Sequence, residues 1–352
     1  MQNIKNNEKI ILISFIFLIF ISYIVGFIFS ENSAGGAIVD FEFVKRNILT
    51  FKNNSFLDAI KLTAGNDTQV YQSTRSPGFY IFNKYLNPFT DNIKLFQGYI
   101  TVFSLLAPVL LFLSLRIKFK KTNIFFLIFT SSLILLSPYF RSSAFWGIEE
   151  NFGIVMVGFS AFFFQLYKNA KSEKYEFVHL VLLAFFSSLC VYSDQKLIII
   201  PFISLIAVML GPGKTYNKLF LIFLYIIFSI PFIYLIKLWG NIAPTGDAIS
   251  RNINILSISL NYHHIGYSFS IISFYLFPFI FLLQNKEKNL VSFFKNKKNY
   301  FFIFFFIFFL IYFLFFYNLN NFHYLGGGIF QKLIKILFDS ILIQKVFLSF
   351  IF

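Results

Sequence analysis

Long apolar stretches alternate with short polar intervals along most of the chain. Ten stretches, most of them about 18–22 residues long, match the length that a helix needs to cross the hydrocarbon core of a bilayer. They cover residues 10–30, 95–115, 122–140, 151–168, 177–193, 197–211, 218–238, 265–284, 299–318 and 333–352. Since hydrocarbon offers no partners to backbone groups, such segments must be helices. The pattern predicts an all-α polytopic membrane protein with about ten transmembrane helices, in a single transmembrane domain over residues 1–352.

Composition supports this class. The chain is 57% hydrophobic and 13% charged, with a mean hydropathy of +0.72, outside the range of soluble domains. A single cysteine, Cys190, excludes an internal disulfide. The first apolar stretch follows Lys5 and Lys9 as in a signal peptide, but it is about 20 residues long and lacks a small-x-small cleavage site. We therefore expect a retained anchor.

The charges predict an orientation. With the N-terminus in the cytoplasm, the inside segments and span edges hold sixteen basic and four acidic residues, a net of +12 out of the formal total of +15. This satisfies the positive-inside rule. The basic balance is thus explained by topology, and nucleic-acid binding is not needed. We expect an integral protein of a bacterial inner (cytoplasmic) membrane, with the bilayer as a partner and an extracytoplasmic active face.

The longest polar interval, residues 31–94, becomes the first extracytoplasmic loop. Apolar positions between 43 and 60 are spaced as in an amphipathic helix lying at the membrane interface. The Ser76-Pro77-Gly78 sequence breaks any helix, and residues 79–86 predict a second short helix after it. The loop is therefore predicted to contain short amphipathic helices.

Asp40 and Glu42 open this loop, ten residues after the first span. One carboxylate near a membrane surface can act as a general base toward a hydroxyl, and the second can orient it, bind sugar hydroxyls or hold a metal. In an extended segment the two would share a face, whereas on a helix they would diverge by about 200°. The alternative is a solvated loop without a catalytic role.

A second short outside loop, residues 141–150, holds Arg141, Trp146, Glu149 and Glu150. An arginine offers a planar fork for a phosphate, and a tryptophan offers a face for a sugar ring or a lipid headgroup. The alternative is an aromatic-belt residue with interfacial charges.

Three further outside positions could contact substrate. Lys196 lies between two apolar stretches with almost no loop, where it could neutralise a lipid phosphate or pair with Asp194. Asp247 belongs to a polar interval over residues 239–264, and Lys332 follows three glycines whose backbone could approach an anion. A flexible connection is the alternative for the glycines.

The order of these features resembles the GT-C fold glycosyltransferases, integral membrane enzymes that generally take a sugar from a polyprenyl-phosphate carrier. Asp40-Phe41-Glu42 stands where that superfamily has its acidic first-loop motif. Arg75-Ser76-Pro77-Gly78 is similar to the proline turn later in that loop, which makes Arg75 a candidate for substrate binding. Ser137-Pro138-Tyr139 through Glu149-Glu150 stands where many members have a second acidic loop motif.

More faintly, the segments from Tyr192 to Lys196 and from Trp239 to Asp247 resemble later loops of the dolichyl-phosphate-glucose glucosyltransferase branch. The chain departs from that branch with Asp194 where an arginine is expected, so specificity for glucose does not carry over.

The resemblance implies transfer of a hexosyl or pentosyl group from a polyprenyl-phosphate-linked sugar, the donor, to an extracytoplasmic lipid, glycan or protein acceptor. Because phosphate leaves as a stable anion, one base could suffice for an inverting single displacement. Asp40 would be that base, with Glu42 or Glu150 orienting the acceptor, while Arg141 and Lys196 hold the carrier phosphate. If a divalent cation takes part, its ligands would be Asp40, Glu42 or Glu150.

Three other readings stay open. A lipid-linked glycan flippase or another transporter would place ionisable residues near the bilayer midplane and often shows repeated halves, which the sequence lacks. A glycan polymerase or ligase would use outside arginines, with its main loop late in the chain. A structural scaffold is the third.

Overall fold

The computed structural model describes residues 6–33, 36–64, 75–212, 214–241, 244 and 336–345. The chain divides into two compact units, Met1–Ser257 and Ile258–Phe352. In the second unit, the described residues 341–345 are helical. In the first unit, all regular elements of the described residues are helical. They are α1 (Asn6–Ile28), α2 (Ala37–Asn53), α3 (Phe56–Ala64), α4 (Gly78–Leu86), α5 (Ile93–Ser104), α6 (Leu106–Lys118), α7 (Ile124–Ser132), α8 (Pro138–Trp146), α9 (Glu150–Lys168), α10 (Glu173–Ser193), α11 (Ile199–Met209) and α12 (Thr215–Trp239), with 3₁₀ turns at Leu133–Leu136 and Gln195–Ile198.

Four helical segments of the described part are long and apolar enough to cross a membrane: Lys9–Ile28, Ile93–Lys118, Glu173–Ser193 and Thr215–Trp239. Ile124–Leu136 with Pro138–Trp146 would make a fifth, although the two helices are bent by 68° at the break between them. These segments indicate a membrane protein, and they coincide with five of the predicted spans.

The prediction of about ten spans is not supported. Helix α9 corresponds to the predicted span 151–168. It has 19 residues, but its polar ends lower its mean hydropathy. The apolar segment Gln195–Met209 is shorter than the helices that could cross a membrane. The predicted spans at 265–284 and 299–318 lie outside the described residues, as does half of 333–352. In so apolar a chain, a hydrophobic stretch alone does not distinguish a full span from a shorter buried helix.

The described part of the first polar interval contains three helices, where two were predicted. Helix α2 begins at Ala37, six residues earlier than expected, so it contains both Asp40 and Glu42. Its buried face includes Phe41 and Phe51, while Leu49 is exposed, which fits an amphipathic helix. The chain breaks after Asn53 and resumes as α3. Helix α4, Gly78–Leu86, agrees with the prediction for residues 79–86.

Aromatic packing fixes the end of α10 that carries the candidate site. Helices α9 and α10 pack through the stacked rings of Phe159 and Phe186, whose centroids are 4.5 Å apart. Near the C-terminal end of α10, the Tyr192 hydroxyl donates to the Phe228 carbonyl oxygen of α12 at 2.5 Å. Helix α10 is therefore held by α9 along its length and by α12 at its last turn.

Candidate functional site

One arginine contacts carboxylates from two other parts of the chain. Arg75 Nε lies 3.6 Å from Glu149 Oε1 and 3.4 Å from Asp194 Oδ2. Its Nη2 donates to Glu150 Oε1 at 3.4 Å. The Arg75 side chain is only 16% exposed. These four residues, here called the Arg75 cluster, place three carboxylates around one guanidinium.

Arg75 is positioned by the helix that follows it. Gly78, the first residue of α4, lies directly against the backbone of Tyr192 near the end of α10. A Cβ at Gly78 would stand 2.8 Å from the Tyr192 carbonyl carbon and even closer to its oxygen. Only glycine permits this approach. The contact brings Arg75, three residues before Gly78, next to Asp194, two residues after Tyr192.

The two glutamates follow a tight helix end. Helix α8 ends at Trp146. The next residue, Gly147, adopts a left-handed conformation with φ of 71° and turns the chain toward α9. Ser143 Oγ then accepts a hydrogen bond from the Asn151 backbone at 3.3 Å and donates to Glu150 Oε2 at 3.4 Å. Ser143 thereby fixes Glu150 at the first position of α9.

Asp194 joins the cluster from the end of α10, and the sequence interpretation did not select it as a site residue. Its Oδ1 accepts the Lys196 backbone N–H at 2.9 Å, which caps the 3₁₀ turn, while Oδ2 contacts Arg75. Lys196 itself is exposed. The sequence did contain a sign that Asp194 has a partner. It is an acidic residue between two apolar stretches with almost no loop, where an ionisable group is costly unless it is paired or used.

Asp40 lies near the cluster, whereas Glu42 does not act with it. Partial burial raises the pKa of Asp40 above its ordinary value, and the positive charge of Arg75 opposes this shift. The Asp40 residue is still exposed, so a ligand can reach it. Glu42, two residues further along the same helix, is 56% exposed and contacts Lys45 at 4.0 Å. The helical conformation thus settles the question that spacing left open, and the two carboxylates diverge.

Glu149 is the most perturbed carboxyl of the cluster. Burial, reinforced by the negative charges of Glu150 and Asp194 and opposed by Arg75, raises its pKa to about 8. Only 5% of the residue is exposed. Glu150, by contrast, has a 40% exposed side chain and faces the surface. Two adjacent carboxyls in different environments are a common arrangement where protons are exchanged.

Arg141 and Trp146 contact other partners than those predicted. Arg141 is buried in α8, where its Nη2 contacts Glu31 Oε2 at 2.5 Å and its Nη1 donates to Ser22 Oγ at 2.9 Å. The Trp146 indole N–H donates to the Glu31 carbonyl oxygen at 3.1 Å. Together they tie α8 to the end of α1. The prediction assumed an exposed loop over residues 141–150, but residues 138–146 form a helix whose arginine is neutralised by Glu31.

The two remaining predicted site residues, Asp247 and Lys332, lie outside the described residues. For a metal, the described ranges contain no group of three histidine, cysteine, aspartate or glutamate side chains placed to hold an ion. Of the three conditional ligands, Glu42 points away from Asp40, and Glu150 contacts Arg75 and Ser143. Asp40 and Glu42 therefore do not converge on one ion.

An apolar cavity of about 250 Å³ lies between α10, α11 and α12. Its walls include Tyr192, Ile198, Phe202 and Phe228. Tyr192 also forms the backbone surface against which Gly78 packs, so the cavity reaches the part of α10 next to the Arg75 cluster.

No family model, curated protein or solved structure matches the chain significantly.

Proposed function

We propose that this chain is a membrane glycosyltransferase that takes a sugar from a polyprenyl-phosphate carrier and transfers it to an extracytoplasmic lipid, glycan or protein acceptor. The observation that carries the proposal is the Arg75 cluster, whose positive charge acts on the exposed carboxyl of Asp40. Polar loops that are far apart in the sequence supply these residues, as expected for a shared substrate site.

Asp40 is the general base. A carboxylate accepts a hydroxyl proton more readily when its pKa is raised toward the working pH, and Asp40 combines such a shift with an exposed position. The acceptor oxygen attacks the anomeric carbon as its proton passes to Asp40. The bond from that carbon to the carrier phosphate breaks, and the phosphate leaves with the electron pair. One displacement of this kind inverts the anomeric configuration.

The other residues bind the substrates. Glu150 is exposed enough to accept hydrogen bonds from sugar hydroxyls. The acidic groups of the cluster outnumber its one arginine and would repel an anion, so the carrier phosphate lies on the outer side, at the exposed Lys196. The apolar cavity beside Tyr192 suits a hydrocarbon chain, since its walls are almost entirely apolar and two of its helices are candidate membrane spans.

Purified protein in proteoliposomes tests the proposal. We expect sugar to move from a radiolabelled polyprenyl-phosphate donor to an acceptor lipid extract, with release of polyprenyl phosphate in equal amount. Absence of transfer across donors bearing hexoses and pentoses would contradict it.

A transporter of lipid-linked glycans is the second candidate, and the buried carboxyl of Glu149 favours it. Transporters that use proton gradients carry such groups within their helical bundle. The same proteoliposomes separate the two activities. Movement of an unaltered lipid-linked sugar between leaflets, without a new glycosidic bond, would favour the transporter.

A further inference from the structure

One oxygen of Glu149 lies buried without compensation. Oε1 faces Arg75 at 3.6 Å, but Oε2 has no hydrogen-bond partner among the described residues and is shielded from solvent. An ionised carboxylate oxygen in that position would lose its hydration without gaining a donor, which is costly. A protonated carboxyl avoids most of this cost.

Charges on the surrounding elements lead to the same result. Arg75 faces Glu149 from the segment before α4, Glu150 from the first turn of α9, and Asp194 from the end of α10. Arg75 Nε already lies 3.4 Å from Asp194 Oδ2 and Nη2 lies 3.4 Å from Glu150 Oε1. One positive charge thus meets three acidic groups, and at least one of them is best kept neutral.

We propose that Glu149 is a neutral carboxylic acid in the resting protein and acts as a positioning residue for Arg75. While Glu149 holds its proton, the Arg75 guanidinium pairs with Glu150 and Asp194. It thereby holds the two glutamates in place next to the end of α10. Loss of the proton creates a third negative charge that competes for Arg75 and disturbs this arrangement. The raised pKa of Glu149 places the change just above neutral pH. The consequence for activity rests on the proposed glycosyltransferase function.

Infrared titration of the purified protein tests the protonation without reference to function, because a carboxylic acid and a carboxylate absorb at different frequencies. We expect one carboxylic-acid band in the wild type that disappears with a midpoint near pH 8. At neutral pH, where ordinary carboxyls are ionised, the band should be absent in Glu149→Gln and in Glu149→Met, a second neutral variant of similar length. The control Asp58→Asn, an exposed carboxyl in α3 that contacts Ser55, should retain it. A wild-type spectrum without a band that these variants remove would overturn the proposal.

Transfer activity tests the positioning role. For a single ionisation we expect wild-type activity to fall by about tenfold per pH unit above the midpoint. Glu149→Gln should lose this alkaline decline, so its ratio of activity at about pH 9 to that at about pH 6 rises toward one. An unchanged decline in Glu149→Gln would overturn the positioning role. If no transfer occurs in any preparation, the proposed function fails, and the infrared result still decides whether Glu149 is neutral.

Discussion

Replacing Gly78 with alanine should disrupt the candidate site without touching any of its charged groups. In the structure, α4 reaches α10 only because Gly78 has no Cβ where it meets the Tyr192 backbone. An added Cβ would stand 2.8 Å from the Tyr192 carbonyl carbon, whereas ordinary contact begins at 3.4 Å. The two backbones must therefore separate by at least 3.4 − 2.8 = 0.6 Å.

A movement of this size is large enough to weaken the contacts of the Arg75 cluster. Arg75 lies three residues before Gly78, and its Nε is 3.4 Å from Asp194 Oδ2. A separation of the size required would bring this ion pair to about 4 Å, the outer limit for such a contact. Overpacking of this kind costs roughly 1–3 kcal/mol of folding free energy. A displacement approaching 1 Å at a site lowers the rate by up to about 10²-fold.

The assay compares Gly78→Ala with Gly98→Ala in detergent. Gly98 is a helical glycine of α5 whose added Cβ would meet only Phe27, at an ordinary 3.8 Å. We expect Gly78→Ala to unfold at a lower temperature and to transfer sugar about 10–100-fold more slowly, while Gly98→Ala resembles the wild type. Equal behaviour of the two variants would refute the claim that the contact of α4 with α10 positions Arg75.

Three further predictions concern ion pairs and pH. Arg141→Ala should lower the free energy of unfolding by roughly 2–3 kcal/mol, less than for a fully buried pair because Glu31 is 27% exposed; denaturant titration measures it. Lys52→Ala should change it by less than about 0.5 kcal/mol, since the partner Asp91 is 77% exposed. The native state keeps the Glu149 proton at pH values where the unfolded chain releases it. The contribution of Glu149 to the free energy of unfolding should therefore be largest below pH 4.5 and should fall as the pH rises to about 8. Thermal unfolding across this range checks the sign, and the slope should weaken in Glu149→Gln.

Local turn chemistry was readable from the sequence. The Ser76-Pro77-Gly78 sequence predicts a break followed by a helix. Helix α4 begins at Gly78, one residue before its predicted start. Proline and glycine act through their own backbone geometry, so such signals depend little on the rest of the fold.

Tertiary pairing was not readable in the same way. The sequence interpretation assigns Arg141 to a phosphate because of its planar charged fork and its predicted outside location, yet Glu31, more than a hundred residues earlier, neutralises it. Asp194 was passed over as a site residue, although it lies beside Arg75. Both outcomes depend on which helices pack together, and a pattern of apolar stretches does not contain that information.

The described residues support fewer spans than the predicted ten for a related reason. Where most positions are apolar, hydropathy separates membrane helices from short buried helices only through length and the polarity of their ends. The Gln195–Met209 segment is apolar but short, and a proline at position 138 divides the stretch that had been assigned to one span. The first helix of the polar interval that contains Asp40 begins earlier than its apolar spacing indicated.

The most direct test of the proposed function compares Asp40→Asn with Glu42→Gln in transfer from a polyprenyl-phosphate-linked sugar. Both substitutions remove one negative charge from the same helix, but only Asp40 lies near the Arg75 cluster. We predict that Asp40→Asn lowers turnover by about 10²–10⁴-fold while Glu42→Gln stays within a few-fold of the wild type. Near-normal turnover in Asp40→Asn, or an equal loss in both variants, would contradict the account.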